Sequence, residues 1–175
     1  MPDPLVSIII PAHNEELLLP ATLAALALAV ADLGDPAEIL VVDDASTDRT
    51  AAIAAAAGAR VVPVNVRQIA AARNAGAREA KGELLLFVDA DTIVPPHLVR
   101  RAVETMRTGA VGGGAGAEFE PGAPRWAQGM IAFARGGYDR IGRSMKEAFA
   151  QAGLVSRYWI LDATDQGTHI GRLPV

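Results

Sequence analysis

Residues 84–88 place the strongest constraint on the fold, because they form an unbroken apolar run, Leu-Leu-Leu-Phe-Val. Such a run is typical of a strand that is buried on both faces, as in a parallel sheet. It is followed by Asp89 and Asp91, whose side chains project in the same direction if the chain stays extended. Open α/β sheets bind their ligands at the carboxyl ends of the strands. The sequence therefore predicts a central strand that carries two carboxylates at a ligand-binding edge.

Two interpretations of this Asp-x-Asp motif are open from the residues alone. Neighbouring ionised carboxylates repel each other, so a cation commonly joins them. Mg²⁺ and Mn²⁺ prefer carboxylate oxygens and share their remaining positions with phosphates, which would make this a metal and diphosphate site. The alternative is a strand that ends in a solvated acidic turn, which is the more frequent outcome for an isolated motif of this size.

Aliphatic and helical stretches alternate along the first 108 residues. Strands are predicted at 5–10, 38–42, 60–63 and 84–88, and helices at 17–33, 49–57, 68–80 and 96–108. Pro11 is expected to end the first strand, and Pro63 places the third strand near an edge of the sheet. The alternation predicts an α/β fold with a three-layer, Rossmann-like, mostly parallel sheet.

The pattern changes in the second part of the chain. We expect residues 1–116 to form the α/β domain, and residues 117–175 to form a shortened, mainly helical C-terminal segment packed on the same domain. Helical periodicity covers 125–142 and 144–152, and 158–161 fits a short strand. Residues 110–119 fit either a glycine-weakened strand or a mobile loop. The glycines at 112–116 lack the G-x-G-x-x-G spacing of a dinucleotide fingerprint, which excludes that interpretation.

Composition excludes several classes of protein. The 175 residues carry a net charge of −4, which argues against a nucleic-acid surface. The chain has no cysteine, so disulfides and thiolate metal sites are excluded. No run reaches the roughly 18 consecutive apolar residues of a membrane span, and the N-terminus lacks a signal-like pattern. We therefore expect a cytoplasmic protein, and the sequence leaves peripheral membrane contact open.

Three further segments are expected at the same edge as the two aspartates. Residues 11–15 and 42–48 follow predicted strands, and residues 71–76 lie early in the helix that leads to Asp89. Together they supply an aromatic ring, carboxylates that can accept hydrogen bonds from a base or ribose, and the planar guanidinium of Arg73, which can bind phosphate or a base oxygen. A nucleotide diphosphate needs these groups.

Four motifs follow one another in the chain: Ile-Ile-Ile-Pro-Ala-His-Asn-Glu, Val-Val-Asp-Asp-Ala-Ser-Thr-Asp-Arg-Thr, Ala-Ala-Ala-Arg-Asn-Ala-Gly-Ala and Leu-Phe-Val-Asp-Ala-Asp-Thr. This order resembles the family-2 glycosyltransferases of the A-type (nucleotide-diphospho-sugar transferase) fold, over about residues 5–116. The resemblance implies transfer of a sugar from a nucleotide diphosphate sugar to an acceptor hydroxyl, with inversion and with Mg²⁺ or Mn²⁺ as cofactor. Residues 1–116 would then be the nucleotide-sugar-binding domain.

The resemblance also assigns residues to a nucleotide-sugar site. Those lining the base and ribose pocket are Pro11, Ala12 and Glu15, and those shaping the loop beside the base are Asp43 and Ser46. Asp44 would meet the base and Arg73 would reach the nucleotide. Asp91 would bind the metal directly, and Asp89 would bind the ribose or the metal. His13 stands where the family often has tyrosine, so we expect the base to stack there.

Each of these residues also has a purely structural interpretation. The alternatives are a helix cap for Ser46, Thr47 or Asp48, an acidic first helical turn for Glu15 and Glu16, an exposed charge for Arg73 and a turn residue for His13. The convergence of several independent signals at one edge of the sheet favours the nucleotide site.

The acceptor half of the family pattern is not matched. Inverting transfer to a hydroxyl needs a general base, which relatives usually supply from an acidic pair after the metal motif. No adjacent Glu-Asp pair follows Asp91, and a Gln-x-x-Arg-Trp motif is absent because Gly122 stands three residues before Arg125. The isolated carboxylates that remain, each more often a surface charge, are Glu118, Glu120, Asp139, Glu147, Asp162 and Asp165. The acceptor stays unknown.

Two further expectations follow from the short C-terminal part. Apolar surface that it leaves uncovered would be buried by self-association, so we predict a homodimer formed through residues from 120 onward. The missing base also supports an alternative function, a nucleotide or nucleotide-sugar binding protein without transferase activity. A nucleotidyltransferase is disfavoured, because residues 11–16 are not a glycine- and lysine-rich loop.

Overall fold

The computed structural model describes residues 4–110, 112–115 and 158–161. The strands are β1 (Val6–Ala12), β2 (Ala37–Asp44), β3 (Arg60–Val64), β4 (Leu84–Val88), β5 (Gly112–Ala115) and β6 (Tyr158–Leu161), and the helices are α1 (Leu19–Leu33), α2 (Thr50–Ala56), α3 (Ile69–Glu79) and α4 (Pro96–Arg107). The strands of the described residues form one sheet in the order β3-β2-β1-β4-β6-β5, and their pairs are parallel. The predicted α/β fold is confirmed.

Alternate residues of the strands pack into different cores on the two faces of the sheet. Ile8 and Ile10 of β1 lie in a core shared with α1, α2 and α4, whereas Ile9 lies in a second core with Ala72 and Ala77 of α3. Strand side chains have a period of two, so β1 can be buried on both faces only if helices cover both. The result is the predicted three-layer arrangement, with all of β4 buried as its apolar run indicated.

The proline predictions had different outcomes. Pro63 lies in β3, which is the edge strand next to β2, as expected. Pro11 does not end β1, because the strand continues to Ala12 and Pro11 still pairs with Val42 of β2. The ladder between β1 and β4 ends earlier, at Ile9. Pro11 is therefore tolerated where β1 has a neighbour on one side only, as at a sheet edge.

The prediction that α1 opens with an acidic first turn is wrong. The helix begins at Leu19, and its first turn contains Pro20 and no acidic residue. Glu15 and Glu16 precede the helix and lie in the loop that follows β1. Proline is suited to a first helical turn because the N–H that it lacks would have no partner there. No helix in the described part of the chain is long and apolar enough to cross a bilayer.

The strand interpretations of the C-terminal part are confirmed where the structure describes it. Gly112–Ala115 and Tyr158–Leu161 are strands, and β6 lies between β4 and β5 in the sheet. The predicted helices at 125–142 and 144–152 and the six candidate bases lie outside the described residues. So does most of the predicted dimer surface, which begins at residue 120 and of which only 158–161 are described. All of these stay predictions, as does the domain boundary at residue 116.

Candidate active site

The loops that follow β1, β2, β3 and β4 meet at one rim, because parallel strands all end at the same edge of the sheet. Pro11, Ala12, Asp43 and Asp44 form the ends of β1 and β2, and Ala12 pairs with Asp43. All four of these residues are buried. These four predicted residues therefore form the buried base of the site, below the loops.

The first two loops are joined by hydrogen bonds through Asn14. Its backbone N–H donates to Ser46 Oγ (3.0 Å), and its side-chain Oδ1 accepts from the backbone N–H of Thr47 (2.7 Å). Asn14 and Ala45 both have positive φ, at 57° and 53°, so each loop turns sharply just after its strand. Neither Ser46 nor Thr47 caps α2, and the prediction that one of them does is wrong.

Asp48 carries out the capping instead. Its Oδ1 accepts a hydrogen bond from the backbone N–H of Thr50 (2.9 Å), at the start of α2. Its Oδ2 accepts from the backbone N–H of Glu16 (3.1 Å), and Thr50 Oγ1 accepts from the N–H of Glu15 (2.8 Å). These contacts hold Glu15 and Glu16 in the loop, outside α1. Burial works against ionisation of Asp48, but hydrogen bonds from Thr50 and Glu16 outweigh it and lower its pKa.

Asp44 is 5% exposed and receives hydrogen bonds from the loop after β3. Its Oδ1 accepts from the backbone N–H groups of Val66 (2.7 Å) and Arg67 (3.0 Å). Burial alone would raise its pKa, but the N–H donors of Arg67, Val66 and Gln68 together hold the pKa below its ordinary value. Asp44 is therefore an ionised carboxylate at neutral pH, which can only accept hydrogen bonds from a ligand.

His13 lies over the end of β2 and has partners on both ring nitrogens. Nδ1 is 2.8 Å from the backbone oxygen of Asp44, and Nε2 is 2.8 Å from Arg67 Nη1 and 3.3 Å from Asn14 Nδ2. Because a carbonyl oxygen can only accept, these partners assign the hydrogen to Nδ1 and leave Nε2 as an acceptor. His13 thus links the loops after β1, β2 and β3.

The aspartates after β4 lie in a segment where burial alternates. Ala90 and Thr92 are buried at 5% and 4% exposure, whereas Asp91 is exposed and Asp89 is half-buried. Ala90 is anchored by Thr22 of α1, whose hydroxyl donates to its carbonyl oxygen (2.7 Å). The segment is a turn, in which the N–H of Thr92 donates to the carbonyl oxygen of Asp89 (3.1 Å), so the extended chain assumed for the i and i+2 spacing is not present. Both carboxylates nevertheless lie close enough to Glu15 to raise its pKa.

Arg73 forms an ion pair with Asp89, so it is not merely an exposed charge on a helix. Its side chain is 21% exposed, and it connects α3 to the end of β4. Within the described residues, Arg73 Nε and Asp43 Oδ1 are buried polar atoms without a hydrogen-bond partner. Such atoms are costly when they are left unsatisfied, and a polar ligand at the rim could satisfy them.

The pKa of Glu15 is raised by its surroundings at the rim. Burial is the main influence that raises its pKa, followed by the negative charges of Asp91, Asp48 and Asp89, while His13 has the opposite effect. The acidic residues after β1, β2 and β4 are therefore close enough to interact. A cation bound among them would relieve this repulsion.

The described residues contain no group of three or more His, Asp or Glu side chains arranged to hold a metal ion by themselves. Asp91 and Asp89 nevertheless supply the hard oxygen ligands that Mg²⁺ and Mn²⁺ prefer. These ions commonly bind through one or two carboxylates together with substrate phosphates. The residues present fit a metal that binds along with a diphosphate, with Asp91 as the exposed ligand.

Sequence reasoning missed the loop after β3. Val66 and Arg67 bind Asp44, and Arg67 also contacts His13, although neither residue belongs to a recognised motif. The available signal was positional, because this loop follows a predicted parallel strand and so has to reach the same edge.

The fold is that of an A-type glycosyltransferase domain. The chain belongs to glycosyl transferase family 2, whose sequence profile matches residues 7–160.

Relatives and solved structures agree with this assignment. An undecaprenyl-phosphate 4-deoxy-4-formamido-L-arabinose transferase from Pseudomonas aeruginosa is 40% identical over 116 residues, which cover 62% of this chain and 34% of that protein. A Pyrobaculum calidifontis mannosyltransferase in complex with GDP-Man and Mn²⁺ superposes with a TM-score of 0.56 at 27% identity, covering 68% of this chain and 36% of the other. The chain spans about a third of the length of the curated relatives it matches.

A third comparison concerns the fold alone. Glucosyl-3-phosphoglycerate synthase from Mycobacterium tuberculosis, in complex with Mn²⁺ and UDP-glucose, superposes over 98% of this chain and 73% of its own, with a TM-score of 0.61 at 21% identity. This comparison supports the fold of the described sheet and helices.

Proposed function

We propose that this chain transfers a sugar from a nucleotide diphosphate sugar, with inversion and with the help of Mg²⁺ or Mn²⁺. The observation that carries the proposal is the acidic rim, where Asp89, Asp91 and Glu15 meet beside the Arg73 guanidinium. Carboxylates next to a fixed cation suit a metal-bound diphosphate, since the metal occupies the acidic side and the arginine binds phosphate oxygen. Membership of the family supports the same conclusion.

In this proposal each part of the rim has a role. Asp44 accepts a hydrogen bond from the base, because its carboxylate is ionised and lies at the end of β2. Arg73 and Asp89 orient the nucleotide, and Asp91 with Asp89 holds the metal. A bound divalent ion supplies charge neutralisation of the leaving diphosphate.

The acceptor is the less constrained half of the proposal, and we propose a polyprenyl phosphate. The relative from Pseudomonas aeruginosa is named for undecaprenyl phosphate. A phosphate monoester has a second pKa of about 6, so its oxygen is already ionised at neutral pH. Such an acceptor needs no side chain to remove a proton. A hydroxyl acceptor would instead require one of the six candidate carboxylates.

Direct binding and turnover measurements test this function. Calorimetry with UDP and with GDP, each with and without Mn²⁺, should detect binding of at least one nucleotide that is strengthened by the metal. The matching nucleotide sugar should then be consumed in the presence of a polyprenyl phosphate. Binding without any turnover or donor hydrolysis would favour the alternative, a nucleotide-sugar-binding protein without transferase activity. If neither these nucleotides nor ADP, CDP or dTDP bind, both functions are excluded.

A lipid acceptor also suggests what contacts the outer face of α1. Leu28 of α1 is 66% exposed, Leu17 just before the helix is 84% exposed, and no charged residue lies between Glu16 and Asp32. A helix that is apolar on all sides is expected to be covered, and interfacial helices bury such faces in the headgroup region of a bilayer. The start of α1 adjoins the rim. We therefore propose that this face contacts the membrane that holds the acceptor.

Vesicle binding tests the membrane contact. We expect the protein to sediment with phospholipid vesicles, and Leu28→Glu to weaken that binding by about thirtyfold, because burial of one leucine contributes roughly 2 kcal/mol. Ala70→Glu adds the same charge to an exposed position of α3 and serves as the control. Donor binding in solution should be unchanged in both variants. Equal vesicle binding by the two variants would contradict the proposed contact.

A further inference from the structure

Arg67 has a backbone conformation that its residue type rarely adopts. Its φ is +49°, in the left-handed region that L-residues with side chains disfavour. The strained residue sits in the loop after β3, where its backbone N–H donates to Asp44 Oδ1 (3.0 Å). A glycine would adopt this φ without strain and would make the same backbone hydrogen bond. The backbone contact alone therefore does not explain why an arginine stands here.

The side chain of Arg67 is held in place by His13. Nη1 donates to His13 Nε2 (2.8 Å), and the imidazole can accept because its Nδ1–H is given to the carbonyl of Asp44 (2.8 Å). The Arg67 guanidinium has five N–H donors, and within the described residues His13 Nε2 is the one acceptor that it contacts. The exposed guanidinium is thus oriented beside the Asp44 carboxylate and keeps donors for a ligand.

These contacts give His13 a role in addition to the base stacking expected from the sequence, because hydrogen bonds to the ring nitrogens leave the ring face open. Both of its ring nitrogens are engaged by the protein, so the imidazole acts as a support for Arg67. A guanidinium is planar, stacks on aromatic rings and donates to carbonyl oxygens. The guanidinium of Arg67 can only donate hydrogen bonds, and the neighbouring carboxylate of Asp44 can only accept them. Together they offer a ligand one donor group and one acceptor group. Uracil and guanine both present a ring N–H beside a carbonyl oxygen, which is complementary to such a pair.

We infer that Arg67 is a donor-binding residue that contacts the nucleobase, and that His13 is the residue that positions it. The inference rests on the proposed function, since it needs a nucleotide at the rim. It assigns base contact to the loop after β3, in addition to the segments after β1 and β2. The left-handed strain is then retained because the side chain is needed for binding.

The variant Arg67→Gly separates binding from folding. Glycine relieves the strain and keeps the N–H that donates to Asp44, so the melting temperature should stay the same or rise. The affinity for UDP or GDP with Mn²⁺, whichever binds the wild type, should fall by about tenfold or more, the usual scale for losing a hydrogen bond to a charged group. Arg67→Lys keeps the charge without the planar fork and should recover only part of the affinity. A purely structural role predicts that affinity and melting temperature change together.

Two controls identify the contacted part of the ligand. Arg49→Ala removes an equally charged side chain from the neighbouring loop, where Arg49 pairs with Glu16, and should leave affinity within about twofold, as expected for a screened surface charge. Competition by inorganic pyrophosphate with Mn²⁺ should be the same in the wild type and in Arg67→Gly if Arg67 contacts the base. Parallel losses for pyrophosphate and nucleotide would assign Arg67 to the phosphates and overturn the inference.

His13 is tested in the same assay. His13→Phe keeps an aromatic ring but removes the acceptor for Arg67, so it should weaken nucleotide binding and should add little to the loss caused by Arg67→Gly. Additive losses would contradict a positioning role. If the wild type binds no nucleoside diphosphate, the proposed function itself fails. If the wild type binds and Arg67→Gly binds equally well, only the present inference fails.

Discussion

Replacing Asp91 by asparagine is expected to lower sugar transfer and donor hydrolysis by about a hundredfold or more. Asp91 is exposed and makes no packing contribution to the core, so its charge is what the substitution removes. The same charge raises the pKa of Glu15, which means that it is repelled by its neighbours when no metal is bound. The melting temperature without metal should therefore be unchanged or slightly higher.

A thermal-shift measurement with nucleotide and Mn²⁺ complements the rate measurement. In the wild type, nucleotide with Mn²⁺ should raise the melting temperature more than nucleotide alone, because a ligand that binds the folded state stabilises it. In Asp91→Asn this metal-dependent part should disappear.

Asp32→Asn provides a matched control, since Asp32 is an acidic residue of α1 that pairs with Arg100. It should cost less than about 1 kcal/mol of stability and leave transfer unchanged. Full activity of Asp91→Asn would exclude Asp91 as a metal ligand.

Local patterns in the sequence were sufficient for the main elements of the fold. The apolar run at Leu84–Val88 predicted a buried central strand, because only a strand covered on both faces can bury five consecutive apolar side chains. The start of α1 could not be read in the same way. Glu15 and Glu16 resemble a favourable first turn, but their N–H groups bind Thr50 and Asp48 from the neighbouring loop. That competition depends on contacts between segments more than 30 residues apart.

The candidate site shows the same division between local and non-local information. Asp89 and Asp91 could be placed because they directly follow a strand, and the same holds for Asp44. Arg67 could not be placed, because its importance depends on a left-handed backbone and on two partners in other loops. The structural alternative for Ser46, a helix cap, followed from its residue type, whereas its hydroxyl accepts from Asn14 across the rim. Local preferences decide the elements, and contacts between loops decide the site.

Replacing Gly76 by valine is expected to give a large loss of stability. Gly76 lies in α3 against the sheet, and a Cβ there would be 2.4 Å from Ile9 Cγ2 and 2.7 Å from Val42 Cγ2. Both neighbours are fully buried and β-branched, so neither can rotate away without cost. Overpacking of this kind costs about 3 kcal/mol, which corresponds to a fall in melting temperature of roughly 6–12 °C for a chain of this size. A displaced α3 would also carry Arg73 away from Asp89, so nucleotide affinity should fall as well.

Two further variants show whether the clash at Gly76 is the cause. Ala70→Val places the same side chain at an exposed position of α3 and should cost only about 0.5 kcal/mol, through helix propensity. Val42→Ala removes one of the two methyl groups that the new side chain meets. Combining it with Gly76→Val should cost less than the sum of the two single losses, because the mutated side chains share one space. Strictly additive losses, or a Gly76→Val protein as stable as Ala70→Val, would mean that α3 does not need this close approach to hold Arg73 at the rim.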